Sequence, residues 1–123
     1  MTAPERNSTG AAEGRRQAPD EVLELVTGRL RLIGDPMRVR IIRHLERCGT
    51  ATVQEICDAV RTPHQNGSKH LRLLLSAGMV IREREGNTMR YELADFTVPW
   101  VLDKMTASVK ARLEEQVERF ADA

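Results

Sequence analysis

Between His64 and Arg72 the chain places polar side chains at helical spacing. Steps of three and four separate Gln65 from Ser68 and Lys69, and these two from Arg72. On a helix the four share one face. Each type has a use against a duplex. The Gln65 carboxamide matches adenine N6 and N7, and the Lys69 ammonium reaches guanine O6 and N7. Ser68 is the third base-reading candidate. Arg72 suits a phosphate. His64 and Asn66 fall at the start of the same segment, where backbone N–H groups favour anions. Arg84 and Arg90 flank a Gly86-Asn87 turn and suit contacts to the backbone or the minor groove. These eight residues form the candidate DNA-binding set.

Cys48 and Cys57 are the other chemically distinctive pair. Both read as lying on apolar helix faces, where a free cysteine is ordinarily a small core residue. Arg47 beside Cys48 favours a thiolate, so a thiol switch is the alternative reading of the pair. His44 and His70 read as packed or hydrogen-bonded side chains, and the five methionines as core filler. Ser68 and His70 stand two apart on a helix and diverge, so they cannot act as nucleophile and base. There is no glycine-rich phosphate loop and no carboxylate cluster. No enzyme, metal site or cofactor is expected.

The elements that must position these residues are legible from periodicity. Residues 1–19 are small and polar and read as a mobile N-terminal tail. Pro19-Asp20 opens a helix over about 20–33 with Val22, Leu23, Val26, Leu30 and Ile33 as its apolar positions. A second helix, 36–48, buries Met37, Ile41, Ile42 and Leu45, and Gly49 ends it. Thr50-Ala51-Thr52 is an extended link, and Thr52 caps a third helix, 53–60, that buries Val53, Ile56, Cys57 and Val60. Thr62, Pro63 and Gln65 form a capping-box pattern for the fourth helix, which carries the candidate face. Gly67 on its inner face allows close packing against the third helix. Gly78 ends it, and strands 79–85 and 88–93 make a hairpin around Gly86-Asn87. A last helix, about 98–121, carries one apolar seam from Val98 to Phe120. The fold class is mainly α with a small β-hairpin wing: a winged helix-turn-helix of five helices.

Bulk properties agree. The chain has 123 residues, enough for one domain, and is 41% hydrophobic and 30% charged, as expected of a soluble protein. Aromatics are 3%, so the core must be aliphatic. A net charge of +1 decides nothing, but its distribution does. Residues 36–48 hold four arginines against Glu46 alone, and residues 61–90 hold six basic side chains against Glu83 and Glu85. One basic face on a near-neutral protein suits a nucleic-acid binder that must dissociate at cellular salt. Two cysteines make no disulfide framework, the N-terminus lacks an apolar stretch, and no run of about 18 apolar residues exists. A cytoplasmic protein with no membrane span is expected.

Three segments resemble the ArsR/SmtB family of bacterial repressors. Leu32-Ile33-Gly34-Asp35-Pro36-Met37-Arg38-Val39-Arg40-Ile41 is similar to that family's helix-opening motif. Ser68-Lys69-His70-Leu71 through Ala77-Gly78-Met79-Val80 is similar to its recognition helix, and Arg84-Glu85-Gly86-Asn87 with Arg90-Tyr91 to its wing. The resemblance covers residues 22–95. It implies a dimeric repressor that leaves DNA when a metal or other inducer binds. The family's Cys-Val-Cys metal motif would fall near Thr52 and Gln54, which are not soft ligands. Its other metal site needs histidines on the last helix, and residues 98–123 contain none. Neither metal site is therefore expected.

The division is a tail at 1–19, a DNA-binding domain at 20–97 and a dimerisation helix at 98–123. The partners are a double-stranded DNA operator, a second copy of the chain through the first and last helices, and an unknown small-molecule or redox effector. A winged-helix module that binds a protein and no DNA is one alternative. A repressor responsive to thiol chemistry at Cys48 or Cys57 is another.

Overall fold

The computed structural model describes the backbone of residues 8–122, with side chains from Pro19 onward. The chain divides at Pro36 into two compact units. The first holds helix α1 (Ser8–Ile33). This helix opens well before Pro19, where sequence reading had it begin. Pro19 therefore lies inside the helix rather than at its start. Of the expected tail, residues 1–7 lie outside the described residues, and residues 8–18 are described only as helical backbone. Val22, Leu23, Val26 and Leu30 are exposed in the single chain, whereas Ile33 is buried.

The second unit contains α2 (Pro36–Cys48), β1 (Thr50–Thr52), α3 (Val53–Val60), α4 (His64–Ser76), β2 (Val80–Glu85), β3 (Thr88–Leu93) and α5 (Thr97–Asp122). Ile41, Ile42, Leu45, Ile56, Leu71, Leu74, Met79 and Val80 form a core without a fully buried aromatic ring. The strands pair antiparallel in the order β1-β3-β2. The expected extended link at Thr50-Ala51-Thr52 is thus a third strand, with buried Ala51 opposite buried Tyr91. Two strands alone are marginal in water, and β1 ties the hairpin to the core. After Val80 every residue of β2 is exposed, so the hairpin projects as a wing.

Helix α3 is capped as its sequence requires. Thr52 Oγ1 accepts from the Glu55 N–H at 3.1 Å, and Glu55 Oε1 accepts from the Thr52 N–H at 2.8 Å. The bond from the Thr52 backbone, with a smaller contribution from Arg90, holds the Glu55 carboxyl below the usual carboxylate range. The box is therefore intact at neutral pH and is lost as pH falls through that lowered value. Thr52→Ala should cost about 1 kcal/mol of unfolding free energy. A urea titration measures it, and an unchanged midpoint would show that the box carries no stability.

The capping box expected at Thr62 and Gln65 does not form. Arg61 ends α3 in the left-handed conformation (φ 57°, ψ 57°), and the Thr62 N–H is drawn to the Cys57 carbonyl at 3.0 Å. Thr62 is thereby part of the turn. Pro63, extended at φ −61° and ψ 151°, is the N-cap of α4, and its carbonyl accepts from Gly67.

Candidate nucleic-acid interface

Helix α4 divides sharply around its axis. Gly67, Leu71 and Leu74 are buried. Gln65, Lys69 and Arg72 are exposed on the opposite side, with Ser68 half-buried at its edge and His64 exposed at the start. The face read from the sequence is therefore turned to solvent. Close packing of the inner side holds it in place. A Cβ on Gly67 would overlap Cys57 Sγ and lie 3.2 Å from Thr62 Cγ2, so only glycine lets α4 approach α3 this closely.

The two helix starts differ. The α3 N-terminus is sealed by its capping box, while proline at the N-cap of α4 offers no side-chain acceptor. The first-turn N–H groups of α4 are therefore without a side-chain cap and open to solvent. Asn66 is less free than its position implied, because its amide donates to Thr62 Oγ1 at 2.7 Å. Arg38 Nη1 donates to His70 Nδ1 at 3.1 Å, so His70 is hydrogen-bonded as expected.

On the wing, Arg84 and Arg90 part company. Arg84 pairs with Met89, next to the hairpin tip, and is exposed. Arg90 sits one pair further back, opposite Glu83 on one side and Thr52 on the other. Its Nε donates to Glu85 Oε1 at 2.9 Å, and its Nη1 lies 3.4 Å from both Glu55 Oε1 and Thr50 Oγ1. Glu85 chiefly, then Glu55, push its pKa up. Arg90, expected near the tip, stands one pair behind Arg84 and is ion-paired with Glu85 and Glu55 of its own chain.

The cysteines also differ. Cys57 is buried, and burial, then Asp58, pushes its thiol up and away from the thiolate. Cys48 was expected on an apolar face but is exposed, because it is the last residue of α2 and lies beyond the core stripe. It faces the Thr50 carbonyl at 3.5 Å and lines a recess with His44, Glu55, Asp58 and Arg90. Sequence reading missed the left-handed Arg61. Nothing in its type signals it, since that conformation costs an arginine about 1–2 kcal/mol and normally selects glycine or asparagine. No described helix is long and apolar enough to cross a membrane.

Residues 33–83 match a family model described as a helix-turn-helix domain. The HTH-type transcriptional repressor SmtB of Mycobacterium tuberculosis is 38% identical over 80 residues, which are 63% of this chain and 56% of the repressor. The chain thus spans about half the length of that relative. An uncharacterized HTH-type transcriptional regulator of Methanocaldococcus jannaschii is 33% identical over 69 residues, 56% of this chain and 78% of that protein. Among solved structures, Rv0081 of M. tuberculosis superposes with a TM-score of 0.69 at 26% identity, covering 78% of this chain and 96% of that one. A homodimeric winged helix-turn-helix DNA-binding domain from Mycobacterium bovis, a possible ArsR-family regulator, gives 0.69 at 25% identity over 82% and 90%.

Proposed function

This chain belongs to the ArsR/SmtB family of helix-turn-helix transcriptional regulators, and from that premise we propose that it is a homodimeric, sequence-specific DNA-binding repressor acting in the cytoplasm. One observation carries the reading: the exposed Gln65, Lys69 and Arg72 face of α4, whose first-turn N–H groups have no side-chain cap. α4 enters a major groove, where Gln65, Ser68 and Lys69 read base edges. Its N-terminus, with His64 and Asn66, lies against a phosphate, Arg72 contacts the backbone, and Arg84 follows the wing along the duplex. Arg90 stiffens the wing from within. Two copies place their α4 helices one helical turn apart, about 34–36 Å. An effector releases the operator by shifting the population toward a dimer that cannot span two half-sites.

Binding to DNA from the chain's own upstream region, at low salt and by gel shift, tests this. A folded dimer that shifts nothing would point to a protein-binding module instead. Lys69→Ala should weaken operator binding by about 1–3 kcal/mol, roughly 5- to 150-fold, and leave random duplex almost unchanged. Arg72→Ala and Arg84→Ala should behave differently. Each should weaken operator and random duplex alike and lower the slope of log affinity against log salt by about 1. If both arginine variants keep the parent slope, neither touches phosphate.

A further inference from the structure

Four arginines line one groove on the second unit. Arg40, Arg43 and Arg47 come from successive turns of α2, and Arg61 from the turn after α3. The groove is open to solvent, has a volume of about 630 Å³ and is lined also by half-buried Val39 and Val60. Small-molecule sites fall in the range of about 300–1,000 Å³ and combine an apolar floor with a few convergent polar groups. Only Arg43 is neutralised, by Glu46 Oε1 at 2.9 Å and by Asp103 Oδ1 on α5 at 2.8 Å. Arg40, Arg47 and Arg61 form no ion pair among the described residues.

Arg61 adds an independent sign. It is the sole non-glycine residue among those described with a positive φ. Strained backbones cluster at functional sites, and glycine at this helix end would be free of the strain. Arginine retains it and brings a guanidinium to the groove rim. Guanidiniums bind carboxylate and phosphate by paired parallel hydrogen bonds.

We infer that this groove binds an amphipathic anion, an apolar body bearing one carboxylate or phosphate, and that the ligand competes with Asp103 for Arg43. Binding then loosens the link between α2 and α5. The consequence for operator release rests on the function proposed above, but the binding itself does not and is measured without DNA.

The test titrates the full chain with decanoate, decyl phosphate and inorganic pyrophosphate, by calorimetry and by emission of Trp100. Trp100 is the only tryptophan and stands three residues before Asp103 on α5. One of the two amphiphiles should bind saturably, at least tenfold more tightly than pyrophosphate, and shift the emission; which one does so identifies the headgroup. Arg40→Ala/Arg47→Ala should lower that affinity at least tenfold with an unchanged thermal melt. Asp103→Asn should raise it severalfold by removing the competitor, which a merely structural carboxylate would not do. Val109→Glu/Leu113→Glu should leave it unchanged, excluding adsorption on the apolar stripe of α5. The inference is overturned if no amphiphile saturates, if pyrophosphate binds equally well, or if the double arginine variant binds the amphiphile normally. It is overturned also if that variant loses only duplex affinity, because the rim would then be a DNA contact. A chain that binds no operator but passes these tests would refute the proposed function and leave the groove intact.

Discussion

Glutamate at both Val109 and Leu113 should convert the dimer to a monomer and lower operator affinity by about 100-fold or more. Along α5 only Val98 and Pro99 are buried, while Met105, Val109, Leu113, Val117 and Phe120 are all more than half exposed. They recur at steps of three and four, so they form one continuous stripe. An apolar stripe of this length on a monomer is costly in water and marks an interface. In the proposed homodimer a second copy covers it by two-fold symmetry, using the same residues from both sides. Two carboxylates at its centre would be buried without partners on association, which costs far more than the apolar packing they replace. Linking two half-site readers raises avidity by about 10²–10⁴, and the monomer forfeits that gain. Size-exclusion chromatography with light scattering reads the assembly state, and a variant that still elutes as a dimer would sink this interface. Affinity for random duplex by a single copy should fall much less than affinity for the operator.

Gly67→Ala should destabilise the fold by about 2 kcal/mol, although alanine is the better helix former. The helix gain is about 1 kcal/mol. Against it stands overpacking, up to about 3 kcal/mol in a dense core. The new methyl would meet Cys57 Sγ, which is 2% exposed, and Thr62 Cγ2 on the other side. Cys57 has no long stem to swing away, and Thr62 is held by its bond from Asn66. Overpacking therefore wins. Cys57→Ala removes the obstructing sulfur, so the double variant Gly67→Ala/Cys57→Ala should recover most of the loss. Urea unfolding of the four proteins in that cycle gives the coupling directly. If Gly67→Ala alone is neutral or stabilising, α3 and α4 do not approach as described. The same step would tilt Gln65 and Lys69, so DNA affinity should fall and recover together with stability.

The elements of the helix-turn-helix were legible because their signals are local. The spacing of Ile41, Ile42 and Leu45 defines α2, Thr52 and Glu55 mark the start of α3, and Gly86-Asn87 marks the hairpin. The outward face of α4 followed from its period, since Gln65, Lys69 and Arg72 lie opposite Gly67, Leu71 and Leu74. Even the tight approach at Gly67 had a local sign, a glycine where a helix gains nothing from one. Thr62 misled because a capping-box pattern says nothing of where the previous helix hands over its last carbonyl.

What the sequence by itself determined, then, is which segments are helix or strand and which side of each is apolar, because a backbone period and a cap involve neighbours within about four residues. Tertiary structure alone decided which charges are spent and which are free. The pairing of Arg90 with Glu55 spans 35 residues and depends on β1 joining β3, and the tie from Arg43 to Asp103 joins α2 to α5. The groove that gathers Arg61 with Arg40 and Arg47 is likewise assembled only when α3 closes onto α2. Charge acts through distance in space, and chain spacing does not encode a distance that folding has yet to create.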